Sequence, residues 1–141
     1  IFEIVQRIIQ SITETVGLGV SNETVEPQAI VDAKENAERN HITNAEFACD
    51  DAGHFMTKFV ERNEKVDCVM VDPPRKGCST EFLERLTTLS PERIVYISCN
   101  VATQARDLTY LVEKGYKPLD VQPVDMFPHT PHIENILLLS K

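Results

Sequence analysis

Apolar positions change their spacing several times along the chain, and each change marks an element. Phe2, Val5, Ile8, Ile9 and Ile12 recur at three and four residues, the spacing of one helix face. Residues 15–24 carry Gly17, Gly19, Ser21 and Asn22 and hold no clear period. Pro27 suits a first helical turn, where its missing N–H costs nothing, and a helix is predicted over 28–39 with Ala29, Ile30, Ala33 and Ala37 inward. A strand over 44–49, a helix over 52–62 and a strand over 66–71 follow. Then come a helix over 79–89, a strand over 93–98 and a helix over 101–114 that Gly115 caps. Two closing strands, 116–124 and 133–140, are joined by a loop rich in proline and histidine.

This alternation predicts an α/β fold: a mostly parallel sheet, helices on both faces, and an antiparallel edge hairpin at the C-terminal end. A helix separates strands 66–71 and 93–98, so the two are expected to run parallel and their following loops to open on one edge. Ligands bind at that edge in open α/β sheets.

The composition adds limits. The chain has 141 residues, 42% hydrophobic and 26% charged, as in an ordinary globular domain. No apolar run approaches the roughly 20 residues that span a bilayer. The start, Ile1-Phe2-Glu3-Ile4, has neither a signal-peptide pattern nor an initiator Met, and reads as part of a longer chain. Cys49, Cys68, Cys78 and Cys99 form no CxxC pair and no metal-ligand spacing, which fits a reducing, cytoplasmic setting with no disulfide and no metal. A net charge of −8 gives no general attraction to nucleic acid, so any RNA contact has to be local. Arg75, Lys76 and Arg106 are the local candidates.

Three segments carry candidate chemistry. In Asp72-Pro73-Pro74-Arg75-Lys76-Gly77 the paired prolines hold Asp72 in an extended, rigid loop, where a carboxylate can accept hydrogen bonds from an amine or a base edge. The plainer reading is a turn that stops a strand. In Ser98-Cys99-Asn100, Asn100 suits an N-cap, which would set Cys99 beside a helix N-terminus where a thiolate is favoured. The alternative is a buried cysteine acting as a small hydrophobe, the reading kept for Cys49, Cys68 and Cys78. In Phe127-Pro128-His129-Thr130-Pro131-His132-Ile133-Glu134, the carboxylate of Glu134 opens an apolar strand. Burying it there without a partner is costly, which suits a group that takes up a proton, although a solvated strand end is equally simple. His129 and His132 have no third ligand at useful spacing and read as loop residues.

Taken together, Asp72-Pro-Pro-Arg-Lys-Gly, Ser98-Cys-Asn-Val-Ala-Thr-Gln-Ala-Arg-Asp107 and Pro123-Val-Asp-Met-Phe-Pro-His-Thr-Pro-His-Ile-Glu134 closely resemble the RNA uracil-5-methyltransferases, in order and spacing from about Glu26 to the C-terminus. The resemblance implies a Rossmann-like S-adenosylmethionine-dependent methyltransferase domain. Its substrate would be a uridine in RNA, ribosomal (23S) rather than transfer RNA, with no DNA and no membrane partner. It implies that Cys99 adds to carbon 6 of uracil and that Glu134 removes the proton from carbon 5. Glu26 would bind the cofactor ribose and Asp51 the adenine; Asp72 would line the cofactor and target-base site, and Arg75 would contact RNA. The family's glycine-rich first motif is not found. Thr15-Val16-Gly17-Leu18 resembles only its tail, so the first strand and that motif are expected to be incomplete. An RNA-binding β-barrel, a central region and, in some members, an iron–sulfur cluster belong to other parts of such proteins. Residues 1–141 are therefore read as a C-terminal catalytic domain. Two other readings stay open: an amino-methyltransferase using the Asp-Pro-Pro loop, and a non-catalytic binding module on the same fold.

Overall fold

The computed structural model describes residues 16–20, 27–45, 47 and 51–141. Five strands and four helices lie among these residues: β1 Val16–Val20, α1 Pro27–Arg39, α2 Ala52–Glu61, β2 Cys68–Asp72, α3 Thr80–Leu89, β3 Arg93–Ser98, α4 Val101–Glu113, β4 Lys117–Val124 and β5 Glu134–Ser140. The sheet order is β1-β2-β3-β5-β4. β1, β2 and β3 run parallel, whereas β5 is antiparallel to both β3 and β4. The hairpin thus inserts its second strand into the sheet and leaves β4 on the edge. β4 carries Pro118 and Pro123, is exposed along nearly its whole length, and shifts register between Pro118 and Asp120. Those are properties an edge strand tolerates and a central one does not.

Pleating divides the sheet's side chains between two cores. Val69, Val71, Ile94, Tyr96, Leu137 and Leu139 pack with Met56 of α2, with Phe82, Leu83 and Leu86 of α3 and with Leu111 of α4. Cys68, Met70, Val95 and Ile136 form the second cluster on the opposite face, flanked by Ile97, Val124 and Leu138. Both faces of β2, β3 and β5 are therefore buried. That is why these strands read as continuous apolar runs rather than alternating ones.

The helices begin where the sequence offers caps. Asp51 Oδ1 accepts from the His54 N–H at 3.0 Å, Ser79 Oγ from the Phe82 N–H at 3.1 Å and Asn100 Oδ1 from the Ala102 N–H at 3.1 Å. α1 begins at Pro27, as the missing N–H allows.

Two expectations need correction. Residues 15–24 were read as aperiodic, yet Val16–Val20 is a strand paired in parallel with β2, from Val16 opposite Cys68 to Val20 opposite Asp72. The glycines obscured it, because Gly17 and Gly19 contribute no side-chain pattern. The strand expected over 44–49 is absent at its described positions: Asn44, Ala45 and Phe47 are irregular. The remainder of that segment, Cys49 included, lies outside the described residues, as do Glu26 and the helix face from Phe2 to Ile12. No helix among the described residues is long and apolar enough to cross a membrane.

Candidate active site

The three chemistry-bearing segments meet at one edge, where β2 and β3 end and β5 begins. The register decides which residues face one another there. Ser98 pairs with Asn135 in the antiparallel ladder of β3 and β5. Cys99 and Glu134 are the residues that flank this last pair, Cys99 just beyond β3 and Glu134 at the start of β5. Alternation also assigns a face to two of them. Asp72 continues the stripe of Cys68 and Met70, and Glu134 precedes that of Ile136 and Leu138, while Cys99 is the first residue beyond β3, in a bend. The three residues therefore gather at the same end of the sheet, with Asp72 and Glu134 on the same side of it.

Cys99 is half-buried, whereas Cys68 and Cys78 are buried. Its neighbours are tied down on both sides. Ser98 Oγ donates to the Asn100 carbonyl and accepts from the Asn100 N–H, both at 3.0 Å. Asn100 Nδ2 donates to the Arg75 carbonyl at 2.9 Å, and Thr103 Oγ1 donates to the same carbonyl at 3.1 Å. The residue before the α4 N-terminus is thereby locked to the Asp-Pro-Pro-Arg loop.

Asp72 is the last residue of β2 and has an open side toward solvent. The protein on its other side desolvates it enough to push its carboxyl above the ordinary value. Arg75 Nη2 lies 3.0 Å from His132 Nδ1, a contact that joins the Asp-Pro-Pro loop to the segment leading into Glu134. Glu134 itself is half-buried at the first position of β5. Asp51 is exposed and caps α2, so the structure gives it a local role that the sequence had left unnoticed.

Arg106, a candidate RNA contact, has an exposed side chain whose guanidinium is also tied to the protein. It donates to Asp107 Oδ1 through Nε at 2.9 Å and Nη2 at 2.7 Å, and Nη2 also reaches the carbonyls of Lys76 and Cys78, both at 3.1 Å. Asp107, only 1% exposed, accepts through Oδ2 from the Cys78 N–H and the Tyr96 hydroxyl, both at 2.7 Å. This buried carboxylate staples the loop after Asp72 to β3 and α4. Gly77 is required within the staple: its φ is +77°, and a Cβ would come within 2.6 Å of Arg106 Nη2 and 2.7 Å of Asp107 Oδ2. Burial, opposed in part by the Tyr96 hydrogen bond, pushes the Cys78 thiol up to about 12. Tyr96 is raised as well, by burial and by its hydrogen bond to Asp107.

A second buried contact links α4 to β5. Gln104 Nε2 donates to the Tyr96 carbonyl at 3.0 Å and to the Asn135 carbonyl at 3.3 Å, while Asn135 Nδ2 donates to Gln104 Oε1 at 2.5 Å. Sequence reasoning assigned no role to Gln104, Asn135 or Tyr96. A signal was there for the first of them: Gln104, Asp107, Leu108 and Leu111 form one helical stripe, and two polar residues in an inward stripe imply buried partners.

With this geometry in view, comparison with known proteins gives a family. The model of the tRNA (uracil-5-)-methyltransferase family matches residues 20–141. The chain belongs to this family. Among curated members, an uncharacterized RNA methyltransferase of Bacillus cereus is 50% identical over 115 residues, covering 82% of this chain and 25% of that protein. One of Geobacter sulfurreducens is 50% identical over 113 residues, covering 80% and 23%. The chain thus spans about a quarter of the length of the relatives it matches. Among solved structures, the tRNA (uracil-54, C5)-methyltransferase of Pyrococcus abyssi, in complex with S-adenosyl-L-homocysteine, superposes with a TM-score of 0.68 at 30% identity, over 96% of this chain and 37% of that one. An rRNA methylase of Streptococcus thermophilus shares the fold, with a TM-score of 0.67 at 11% identity, over 99% and 95% of the two chains. The family's fold is the one described above, a Rossmann-like α/β sheet.

Proposed function

We propose that this chain is the catalytic part of an S-adenosylmethionine-dependent enzyme that methylates carbon 5 of a uridine in RNA through a covalent Cys99–uracil intermediate. The observation that supports this reading is the register of β3 and β5: Ser98 pairs with Asn135, and Cys99 and Glu134 flank that pair at the edge where β2 ends in Asp72. The names of the relatives and of the solved tRNA enzyme support RNA as the substrate class and S-adenosylmethionine as the methyl donor.

The residues follow from the chemistry. Carbon 5 of uracil is a poor nucleophile until carbon 6 is attacked. Cys99, as thiolate, forms a bond to carbon 6, and the electrons of the 5,6 double bond move onto the carbon 4 oxygen as an enolate. Carbon 5 of that enolate takes the methyl group. Glu134 then removes the proton on carbon 5; the double bond re-forms and the Cys99 sulfur leaves as thiolate. The target base has to leave its stack before any of this, since the reacting carbons are inaccessible within a helix.

The carboxylate of Asp72 at the end of β2 suits a ligand that carries an ammonium group or hydroxyls. S-adenosylmethionine would be held by Glu26, Asp51 and Asp72, and it supplies the methyl group as an electrophilic sulfonium. Arg75, set by its own carbonyl and by His132, is proposed to contact the RNA.

The deciding experiment uses the full-length protein, S-adenosylmethionine and RNA containing 5-fluorouridine. Fluorine at carbon 5 cannot be removed as a proton, so the intermediate is expected to accumulate as a complex that survives denaturing electrophoresis. Loss of that complex in Cys99→Ala identifies the nucleophile. Running the capture separately on 23S ribosomal RNA and on transfer RNA decides between the two substrates. Absence of a complex on every RNA would overturn the reading.

A further inference from the structure

Two buried amides lie beside the pair Cys99 and Glu134, and the chemistry above does not use them. Gln104 is 3% exposed and Asn135 7%. They are neighbours of the reacting positions: Asn135 follows Glu134 on β5, and Gln104 lies one turn into the helix that starts just after Cys99. Their contacts form a closed set. Asn135 Nδ2 donates to Gln104 Oε1 at 2.5 Å, and Gln104 Nε2 returns to the Asn135 backbone carbonyl at 3.3 Å and to the Tyr96 carbonyl of β3 at 3.0 Å. One glutamine thus bridges α4, β3 and β5 where water is excluded. A leucine or methionine would fill the same volume and leave Asn135 Nδ2 without a partner.

Cys99 and Glu134 are held differently. The Cys99 turn is secured on its own side, by Ser98, Asn100 and the Arg75 carbonyl. Glu134 opens its strand directly after an exposed loop, and the side-chain contact that binds this end of β5 to α4 is the Gln104–Asn135 pair.

We infer that Gln104 and Asn135 form a positioning couple that sets Glu134 relative to Cys99, and so governs proton removal from carbon 5 rather than thiol addition to carbon 6. This rests on the Cys99 and Glu134 roles proposed above. Misplacing a catalytic group by about 1 Å can cost on the order of 100-fold in rate.

The test measures two steps separately in the full-length protein: the rate of covalent capture on 5-fluorouridine RNA, and turnover on ordinary uridine RNA. Gln104→Met, which keeps length but removes the hydrogen bonds, should capture within about twofold of wild type yet turn over at least tenfold more slowly, about one order of the loss misplacement can cause. The exchanged pair, Gln104→Asn with Asn135→Gln, keeps both amides and the combined length and should recover most of the turnover. Should Gln104→Met fail to fold, Gln104→Ser leaves room for water to stand in for the amide and carries the same comparison.

Equal turnover in the variants, or equal losses in capture and turnover without recovery in the exchanged pair, overturns the positioning role while the methyltransferase reading stands. A wild-type protein that captures no RNA overturns the underlying reading, and this inference with it.

Discussion

Ser98 of β3 and Asn135 of β5 are register partners, and the next positions outward are Cys99 and Glu134. Adjacent strands lie about 4.8 Å apart, so groups at the ends of two such strands can reach a single small, planar substrate. Burial keeps apart the two cysteines that the sequence already reads differently. Cys99 stands beyond the strand end and is half-buried, whereas Cys68 is fully buried in the second core. Cys99→Ala is expected to abolish covalent capture and methylation with the fold retained. Cys68→Ala should retain activity and cost about 1 kcal/mol, read from the unfolding midpoint. Methylation by Cys99→Ala at the wild-type rate would sink the mechanism.

Glu134→Gln removes the proposed base but keeps the shape and most of the polarity of the side chain. The variant is expected to form the adduct with ordinary uridine RNA and release it slowly, so that a covalent complex becomes visible without fluorine. Normal turnover would take Glu134 out of the reaction.

Asp107 holds Tyr96, Cys78 and Arg106 together beneath the Asp72 loop. Asp107→Ala leaves a buried hydroxyl and a buried N–H without an acceptor, each at about 1–3 kcal/mol. A fall of several degrees in the midpoint of thermal unfolding is expected. An unchanged midpoint would show that water replaces the carboxylate.

Three groups predict the alkaline limit of the fold. The Cys78 thiol and the Tyr116 hydroxyl are each pushed up to about 12, chiefly by burial, and Tyr96 is raised too. In the unfolded chain these groups lose their protons at lower pH, so the folded state holds more protons as pH climbs. Stability they contribute is intact below about pH 8.5, the ordinary thiol value, and declines toward pH 12. Chemical unfolding at stepped pH should show that decline. Removing two of the three groups, in Cys78→Ala with Tyr116→Phe, should make it shallower.

Asp72 gives the opposite balance of stability and function. Desolvation raises its carboxyl, so at neutral pH the charged form opposes folding. Asp72→Asn is expected to leave the thermal midpoint equal or higher at pH 7, with the difference shrinking as pH falls into the acid range and the aspartate takes up its proton. The same variant should weaken S-adenosylmethionine binding, read by calorimetry on the full-length protein. A lower midpoint at pH 7 would mean that the carboxylate has a stabilising partner.

Local chemistry made much of this protein legible in advance. β3 spans the expected residues 93–98, and Asn100 caps the helix that follows it, as expected. Apolar runs and cap residues act over a few positions, so a chain shows them without its fold. β1 was hidden because two of its five residues are glycine, and a strand with so little side-chain pattern is recognised only by its partner.

Cys99, Glu134 and Asp72 were each visible as residues of the right type at the ends of strands, because motifs and strand boundaries are properties of the sequence. That Cys99 and Glu134 flank one register pair, Ser98 and Asn135, was not visible. It depends on β5 entering the sheet between β3 and β4 in one particular register, and a shift by one residue would have turned every side chain of β5 to the other face. Arg106 reads in the sequence as a free basic residue, and only the approach of Asp107 and two loop carbonyls makes it a structural clamp. Gln104 and Asn135, 31 residues apart, become partners for the same reason: hydrogen bonds between distant residues are chosen by packing, which the order of residues along the chain does not record.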